Sequence, residues 1–116
     1  MPETPAAHLF HLVDEAVWAE VVRDGRYAPA SLATEGFVHC SYAHQVAGVA
    51  AARYAGVPDL VVVELDPAGL DVRDEDSYGA GVTYPHVYGP IPVSAAVAAH
   101  PLSDLLDGTV CAAVDR

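Results

Sequence analysis

The run Leu60-Val61-Val62-Val63-Glu64-Leu65 carries the strongest strand signal in this sequence. Its β-branched residues favour extended backbone, and turn-forming residues bound it at Pro58-Asp59 and at Asp66-Pro67-Ala68-Gly69. The pattern predicts a strand over residues 60–65. We expect Leu70 to Arg73 to begin its hairpin partner.

Toward the N-terminus, the pattern predicts a strand followed by a helix. His8 to Val13 is a compact apolar run that is typical of a strand. Glu15 to Asp24 predicts a helix, with Asp14 as its N-cap and Gly25 as its stop. The apolar side chains of this helix fall on one face: Val17, Trp18, Val21 and Val22.

The next thirty residues predict a loop, a second strand and a second helix. Arg26 to Gly36 is expected to be a loop with a short helical turn at Ser31-Leu32. Phe37 to Cys40 predicts the second strand. Ala43 to Ala55 is rich in alanine and predicts a helix, for which Ser41 is the expected N-cap.

Strands dominate the C-terminal half. Asp74 to Gly81 is acidic, contains two glycines and predicts a mobile loop at the rim of the site. Tyr84 to Pro90 is expected to be extended, and Ala96 to His100 predicts a last strand, while the segment after Pro101 is ambiguous. Alternating strands and helices followed by strands favour an α+β domain.

Charge limits the partners. The net charge of −11 comes from 16 acidic residues against five arginines, and the sequence has no lysine. Nucleic-acid affinity depends on clustered cations that contact phosphates, and these arginines are scattered. We therefore expect no DNA or RNA partner. The lack of lysine also excludes a Schiff-base lysine and a P-loop lysine.

Length and terminal sequence indicate a single cytoplasmic domain. A chain of 116 residues matches one domain with one core. Met1 to Pro5 lacks the basic start and apolar run of a signal peptide, and no apolar stretch approaches the roughly 18 residues of a membrane span. Cys40 and Cys111 do not have metal-site spacing, and Cys40 is expected to be a buried small hydrophobe.

Three short segments place titratable side chains inside apolar strand patterns: His8-x-x-His11, His39-Cys40-Ser41 and His86-Val87-Tyr88. Side chains alternate faces along a strand, so the first and last residues of the second and third segments each share a face. His8 and His11, three positions apart, point to opposite faces. We expect His11, His39 and His86 to lie around one pocket.

Neighbouring residues extend the predicted pocket. Gln45 lies one helical turn beyond the second segment and can reach back toward it. Tyr84 and Tyr88 can form the walls for a flat ligand. His44 and His100 are expected in surface or structural roles.

These residues leave several functions open. His39-x-Ser41 resembles half of a twin histidine phosphoesterase site, but His86-x-Tyr88 does not supply the second half. A metal hydrolase that uses His11, His39 and His86 is another alternative, although no two of these ligands are closely spaced. A ligand-binding or interaction module with a degenerate site is the non-enzymatic alternative.

The sequence also resembles a known family from about His8 to Leu102. The matching positions are His8-x-x-His11, Trp18, Gly25-x-Tyr27, Ser31-Leu32, Glu35-Gly36-Phe37-Val38-His39-Cys40-Ser41, Gln45, Tyr54-x-Gly56, Asp59-Leu60-Val61, Glu75 and Pro85-His86-Val87-Tyr88-Gly89-Pro90. The pattern resembles domain-of-unknown-function family 952, which consists of small bacterial proteins. The resemblance implies one domain over residues 1–116, with a core over about 8–102 and a tail over 103–116.

The fold of this family resembles that of ADP-ribosyltransferases. The resemblance therefore implies a compact α+β domain with a split antiparallel or mixed sheet and two main helices. It implies NAD as the substrate, bound in the cleft of the split sheet, and no metal. The implied chemistry is cleavage or transfer at the nicotinamide–ribose bond, with a small molecule or a protein as the acceptor.

The resemblance also implies roles for individual residues. His11 would hold the ribose or phosphate of NAD. His39 and Ser41 would order the nicotinamide side. Glu75 or His86 would polarise the ribose, so that His39, Glu75 and His86 form the expected catalytic set.

Two more residues, Gln45 and Tyr88, are expected to contact the cofactor because of their predicted places at the pocket. The sequence departs from the family at one position near the implied acidic residue. Family members typically carry an aromatic residue just before the glutamate, and this sequence has Asp74 there. This departure makes the predicted loop over Asp74 to Gly81 more acidic.

Overall fold

The structure, a computed structural model, describes residues 7–57, 59–76, 79 and 81–102. The strands in these residues are β1 (Leu9–Asp14), β2 (Arg26–Tyr27), β3 (Val38–His39), β4 (Leu60–Leu65), β5 (Val72–Glu75), β6 (Tyr84–Val87), β7 (Ile91–Pro92) and β8 (Ala96–Pro101). The helices are α1 (Glu15–Asp24), α2 (Ala30–Thr34) and α3 (Val46–Arg53), and 3₁₀ turns form at Ala43–Gln45 and Val93–Ala95. The strand pairings are antiparallel, and the predicted α+β class is confirmed.

The predicted strand over residues 60–65 is β4, the central strand of the three-stranded sheet β1-β4-β8. Val62 and Val63 point to opposite faces of β4 and are both buried, because packed side chains cover both faces. Leu70 to Arg73 was wrongly predicted as the hairpin partner of this strand. The backbone N–H of Asp66 donates to the carbonyl of Ala95 over 2.9 Å, so the chain leading into β8 occupies that edge.

Helix α1 has the predicted bounds and caps. The Asp14 carboxylate accepts hydrogen bonds from the backbone N–H groups of Ala16 and Val17, at 2.8 and 3.3 Å. Gly25 ends the helix in the left-handed conformation at φ 89°, which glycine adopts without steric cost. Of the predicted apolar face, Val21 is buried, whereas Val17 and Val22 are exposed.

The second sheet has the order β3-β6-β5, and β2 pairs with β7 in a short ladder. Among the described residues, one isolated bridge links β1 to the segment that follows β3. Phe10 on β1 and Ser41 exchange two backbone hydrogen bonds of 2.8 Å. Because the pairing does not continue beyond this bridge, β1 keeps an open edge, and the sheet is split as the family resemblance implies.

The helix predicted over Ala43 to Ala55 is shorter and starts differently. A 3₁₀ turn occupies Ala43–Gln45, and α3 follows. The Gln45 side-chain oxygen accepts from the backbone N–H of Tyr42 over 2.9 Å and fixes this turn. Ser41 was wrongly predicted as the N-cap, because its backbone is committed to the bridge with Phe10.

The predicted loop over Asp74 to Gly81 begins later than expected. Asp74 and Glu75 belong to β5, where they pair with Pro85 and Tyr84. The sequence alone did not indicate this pairing because acidic residues are uncommon in strands. Residues 77, 78 and 80 and the tail over 103–116 lie outside the described residues, so the mobility of the loop stays a prediction.

Apolar side chains cover both faces of the β1-β4-β8 sheet. One face packs against α3 through Phe10, Val46 and Val62, and the other contributes Leu9 and Val63 to a second cluster. Cys40 is buried, as predicted, and Cys111 lies outside the described residues. No helix in the described part of the chain is both long enough and apolar enough to cross a membrane.

Candidate functional site

A cavity of about 500 Å³ opens where the sheets separate. The open edge of β1 forms one side of it, and α3 with the residue that follows it forms another. The polar and aromatic side chains around it include His11, Tyr27, His39, Ser41, Arg53 and Tyr54. Three residues predicted for the pocket, His11, His39 and Ser41, therefore line one cavity.

His11 is held by hydrogen bonds at both ring nitrogens. Nδ1 donates to the carbonyl oxygen of His39 over 2.6 Å, and Nε2 accepts from the Tyr27 hydroxyl over 2.8 Å. Burial lowers the pKa of His11 to about 4, although the bond to His39 opposes this change. Burial also raises the pKa of Tyr27 to about 12. At neutral pH the two side chains form an uncharged pair.

Tyr27 is, like Arg53, a cavity residue to which the sequence patterns assigned no role. It lies on β2, which pairs Tyr27 with Ile91 and places it against His11. The Tyr27 proton is committed to His11, so its oxygen can only accept a hydrogen bond from a ligand. The sequence feature that could have identified Tyr27 as a site residue was its place in the Gly25-x-Tyr27 motif of the family pattern.

His39 lies on β3 and lines the cavity with a half-buried ring. Its Nε2 is 3.2 Å from both carboxylate oxygens of Glu35. Phe37 and His86 contact the ring in edge geometry, with centroid distances of 4.8 and 5.3 Å. His39 therefore stands between the cavity and the buried residues behind β3.

His86, Glu75 and Tyr88 form a second polar cluster behind His39. The fully buried His86 ring stacks on Phe37 at 4.0 Å, and its Nδ1 lies 2.8 Å from a Glu75 oxygen. The same Glu75 oxygen accepts from the Tyr88 hydroxyl over 2.5 Å. The bonds from Tyr88 and His86 lower the pKa of Glu75, and the bond to Glu75 raises the pKa of Tyr88.

This cluster reaches the cavity wall through the contact of the His86 ring with His39 and through the pairing of Glu75 with Tyr84. Glu75, His86 and Tyr88 do not line the cavity, although the sequence placed them in the same pocket. The hydrogen bonds of Glu75 confirm that His86 and Tyr88 share a face of β6 and the residues that follow it. The expected catalytic residues are thus split between the cavity wall and the layer behind it.

Gln45 is occupied by the backbone and does not line the cavity. Its side-chain N–H donates to the carbonyl of Thr83 over 2.9 Å, and its oxygen binds the N–H of Tyr42. The oxygen and the N–H of this amide together hold the turn before α3 against the segment before β6. This geometry gives Gln45 a structural role, and its predicted cofactor contact stays a prediction.

Charge is sparse around the cavity. Among the described residues that line it, Arg53 is the one cation, and none is Asp or Glu. Within residues 7–57, 59–76, 79 and 81–102, no three His, Cys, Asp or Glu side chains are arranged to hold a metal ion. His11 also has no nitrogen left for a metal, because both are hydrogen-bonded.

Comparison with known proteins confirms the family resemblance. The family model DUF952, described as a protein of unknown function, matches residues 12–99. The crystal structure of protein CC0527 from Caulobacter crescentus is 28% identical, with a TM-score of 0.72 over 82% of this chain and 85% of that chain. The solution NMR structure of CC0527 gives the same identity and TM-score over 81% and 83%. No curated protein matches the chain.

Proposed function

Because this chain belongs to DUF952, a family of proteins of unknown function, we propose its activity from its own geometry. The domain is an ADP-ribosyltransferase-like enzyme that binds NAD or a related nucleotide in the cavity. It cleaves or transfers at the nicotinamide–ribose bond, with a small molecule or a protein as acceptor. The observation that carries this proposal is the cavity at the open edge of β1, next to the uncharged His11–Tyr27 pair.

The cavity suits one flat ring and an attached sugar. A volume of about 500 Å³ falls within the range of small-molecule sites, roughly 300–1,000 Å³. Tyr27, Tyr54 and Tyr84 supply aromatic walls on which a flat ring can stack. A nicotinamide riboside unit fits a space of this size and composition.

The open edge of β1 offers hydrogen bonds to a carboxamide. The N–H and C=O of Phe10 both bind Ser41, so they point away from β4. Alternation along the strand directs the N–H and C=O of Leu12 to the same edge, and Leu12 lines the cavity. A carboxamide, as in nicotinamide, carries the donor and the acceptor that pair with such an edge.

Arg53 provides positive charge where a phosphate of the ligand would lie. The protein has a net charge of −11, which repels anions in general. Arg53 on α3 lines the cavity, whose described lining residues include no carboxylate. A guanidinium binds phosphate through directed hydrogen bonds, so this position favours the pyrophosphate side of a nucleotide.

The proposed reaction breaks the bond between ribose C1′ and the nicotinamide nitrogen. The electron pair goes to the pyridinium nitrogen, which becomes neutral, and an oxocarbenium-like ribose remains. The acceptor O–H or N–H adds to C1′ and loses its proton. Fixed acceptors near the ribose stabilise the developing positive charge. Ser41 and the Tyr27 oxygen are among the acceptors at the cavity wall.

Ligand titration tests the binding half of this proposal. NAD, ADP-ribose and nicotinamide mononucleotide should each raise the melting temperature, whereas adenosine should have less effect. At a ligand concentration of about 100 times Kd, the stabilisation should approach roughly 2.7 kcal/mol. Arg53→Gln should weaken the binding of the phosphate-bearing ligands, and Arg23→Gln, an exposed arginine on α1, serves as the matched control. No shift with any nucleotide would exclude the proposal.

Nicotinamide release tests the catalytic half. His39→Ala should lower the release rate on the order of 100-fold, because His39 lines the cavity. Glu75→Gln should lower it about 10-fold, because Glu75 acts through His86. His44→Ala removes an exposed imidazole outside the cavity and should retain the parent rate. Melting temperatures of all variants distinguish lost activity from lost folding.

The structure also supports a second candidate, a nucleotide-binding module without catalysis. The supporting observation is that Glu75 is held by His86 and Tyr88 and does not line the cavity. Under this alternative, NAD stabilises the protein but is recovered intact. Binding without nicotinamide release would therefore favour the module over the enzyme.

A further inference from the structure

The His39 imidazole presents one nitrogen without a hydrogen-bond partner in the described residues. Its Nε2 lies 3.2 Å from both oxygens of Glu35, and a carboxylate at neutral pH only accepts hydrogen bonds. Nε2 therefore carries the proton. In the neutral ring, Nδ1 then holds the lone pair and can take up a proton.

The surroundings of His39 fix the ring in one orientation. Phe37 and His86 contact it in edge geometry, and its backbone carbonyl accepts from His11. Glu75 in turn holds the buried His86 ring in place over 2.8 Å. A histidine constrained on several sides at a cavity wall can keep its lone pair in a constant direction.

Glu35 is the carboxylate that reaches a histidine of the cavity wall. It follows α2, as the C-cap residue, and precedes Gly36, whose φ of 88° turns the chain into β3. No carboxylate lines the cavity among the described residues, and Glu75 is bound to His86 and Tyr88. Among the described residues, the direct contact of a carboxylate with a histidine of the cavity wall is therefore that of Glu35 with His39.

We infer that Glu35 and His39 form a carboxylate–histidine pair in which His39 removes the proton of the acceptor and Glu35 is its positioning residue. This inference rests on the proposed function, and it assigns Glu35 a role that Glu75 does not fill. The acceptor is water, an alcohol or an amine, since each carries a proton that must leave.

The step balances as follows for water. A water oxygen forms a bond to ribose C1′ while the bond from C1′ to the nicotinamide nitrogen breaks. The electron pair of that bond neutralises the pyridinium ring. The proton of the water passes to Nδ1 of His39, and Glu35 stabilises the resulting imidazolium by accepting from Nε2–H.

The first test determines the tautomer of His39 and needs no substrate. Long-range proton–nitrogen NMR spectra of the free protein should show His39 with its neutral-form proton on Nε2. Glu35→Gln should convert this single tautomer into a mixture, and Glu20→Gln, an exposed glutamate on α1, should not. A neutral His39 protonated on Nδ1 in the parent protein would overturn the inference.

The second test compares two acceptors in nicotinamide release from NAD. With water, Glu35→Gln should lower kcat about 10- to 100-fold with little change in KM, and Glu35→Asp should restore part of the rate. Azide has no proton to lose, so high azide concentrations should return Glu35→Gln and His39→Ala toward the parent rate. A merely structural role for Glu35 predicts equal losses with both acceptors.

The outcomes separate the two proposals. If the parent releases nicotinamide and Glu35→Gln matches it with water, the inference is wrong and the proposed function stands. If Glu35→Gln is equally slow with water and with azide, the inference is again wrong. If the parent never releases nicotinamide, the proposed enzymatic activity is wrong whether or not NAD binds. The inference about Glu35 then fails as well.

Discussion

Two histidines lie only three residues apart, His11 on β1 and His8 just before it, and they have opposite environments. His11 points into the split between the sheets, where its partners are the uncharged Tyr27 hydroxyl and a carbonyl oxygen. His8 lies on the opposite face, where its Nδ1 is 2.6 Å from the Glu64 carboxylate. His100 on β8 binds the other oxygen of Glu64 over 2.9 Å.

The difference shows that the hydrogen-bond partners of a histidine determine its role in this fold. A carbonyl and a phenol leave His11 neutral, which keeps charge away from the proposed ligand site. The carboxylate of Glu64 on β4 instead joins two imidazoles, one just before β1 and one on β8. Burial raises the pKa of Glu64, but the bonds from His100 and His8 outweigh it and lower the pKa overall.

The largest expected effect concerns the acid sensitivity that His11 creates. The folded protein takes up a proton at His11 only near pH 4, whereas the unfolded chain takes it up near 6.5. The unfolded state therefore binds more protons in this window, and stability falls as the pH falls. The loss reaches about 2 kcal/mol between about pH 6.5 and 5.

Denaturant unfolding of the parent and of His11→Gln measures this effect. The parent should lose stability over that interval, and His11→Gln should show a flatter dependence on pH. His44→Gln, which changes an exposed imidazole, should keep the parent slope. Equal slopes in the parent and His11→Gln would show that His11 is not held neutral.

A smaller effect is expected at Glu64. The folded-state pKa of Glu64 is lowered, so its contribution is present above its usual value of 4.5 and is lost as the pH falls through the folded value. Glu64→Gln should cost about 1–2 kcal/mol at neutral pH, because two imidazoles lose a charged acceptor. It should also lose less stability than the parent below about pH 4.5.

The control for this change is Glu20→Gln on the exposed surface of α1. Urea midpoints at pH 7 and in the acid range would provide the comparison. If Glu64→Gln is as stable as the parent at pH 7, the bonds to His8 and His100 contribute nothing. Of the two histidines compared, only His11 would then have hydrogen-bond partners that affect stability.

Local patterns predicted most of the elements and part of the site. The alternation of side chains placed His8 and His11 on opposite faces, and the caps of α1 followed from Asp14 and Gly25. These features depend on neighbours within a few residues. Such neighbours can be read directly from a sequence.

Features that depend on distant pairings were missed or wrong. Tyr27 meets His11 because β2 pairs with β7, whose residues lie far along the chain. Glu75 faces His86 because β5 pairs with β6 and not with β4. The residues next to Tyr27 and Glu75 in the sequence do not indicate these two strand pairings. The pairings nevertheless determine which residues line the cavity.

The central claim is that the cavity at the open edge of β1 binds NAD, and an NMR titration tests it most directly. Backbone amide shifts should be followed while NAD is added to the parent protein up to millimolar concentrations. The account predicts saturable shifts at Leu12, Ser41 and Tyr54, which surround the cavity, and none at His100 on β8, the strand at the opposite edge of the sheet. Unchanged amides at all three cavity positions with NAD on the order of 1 mM would contradict it.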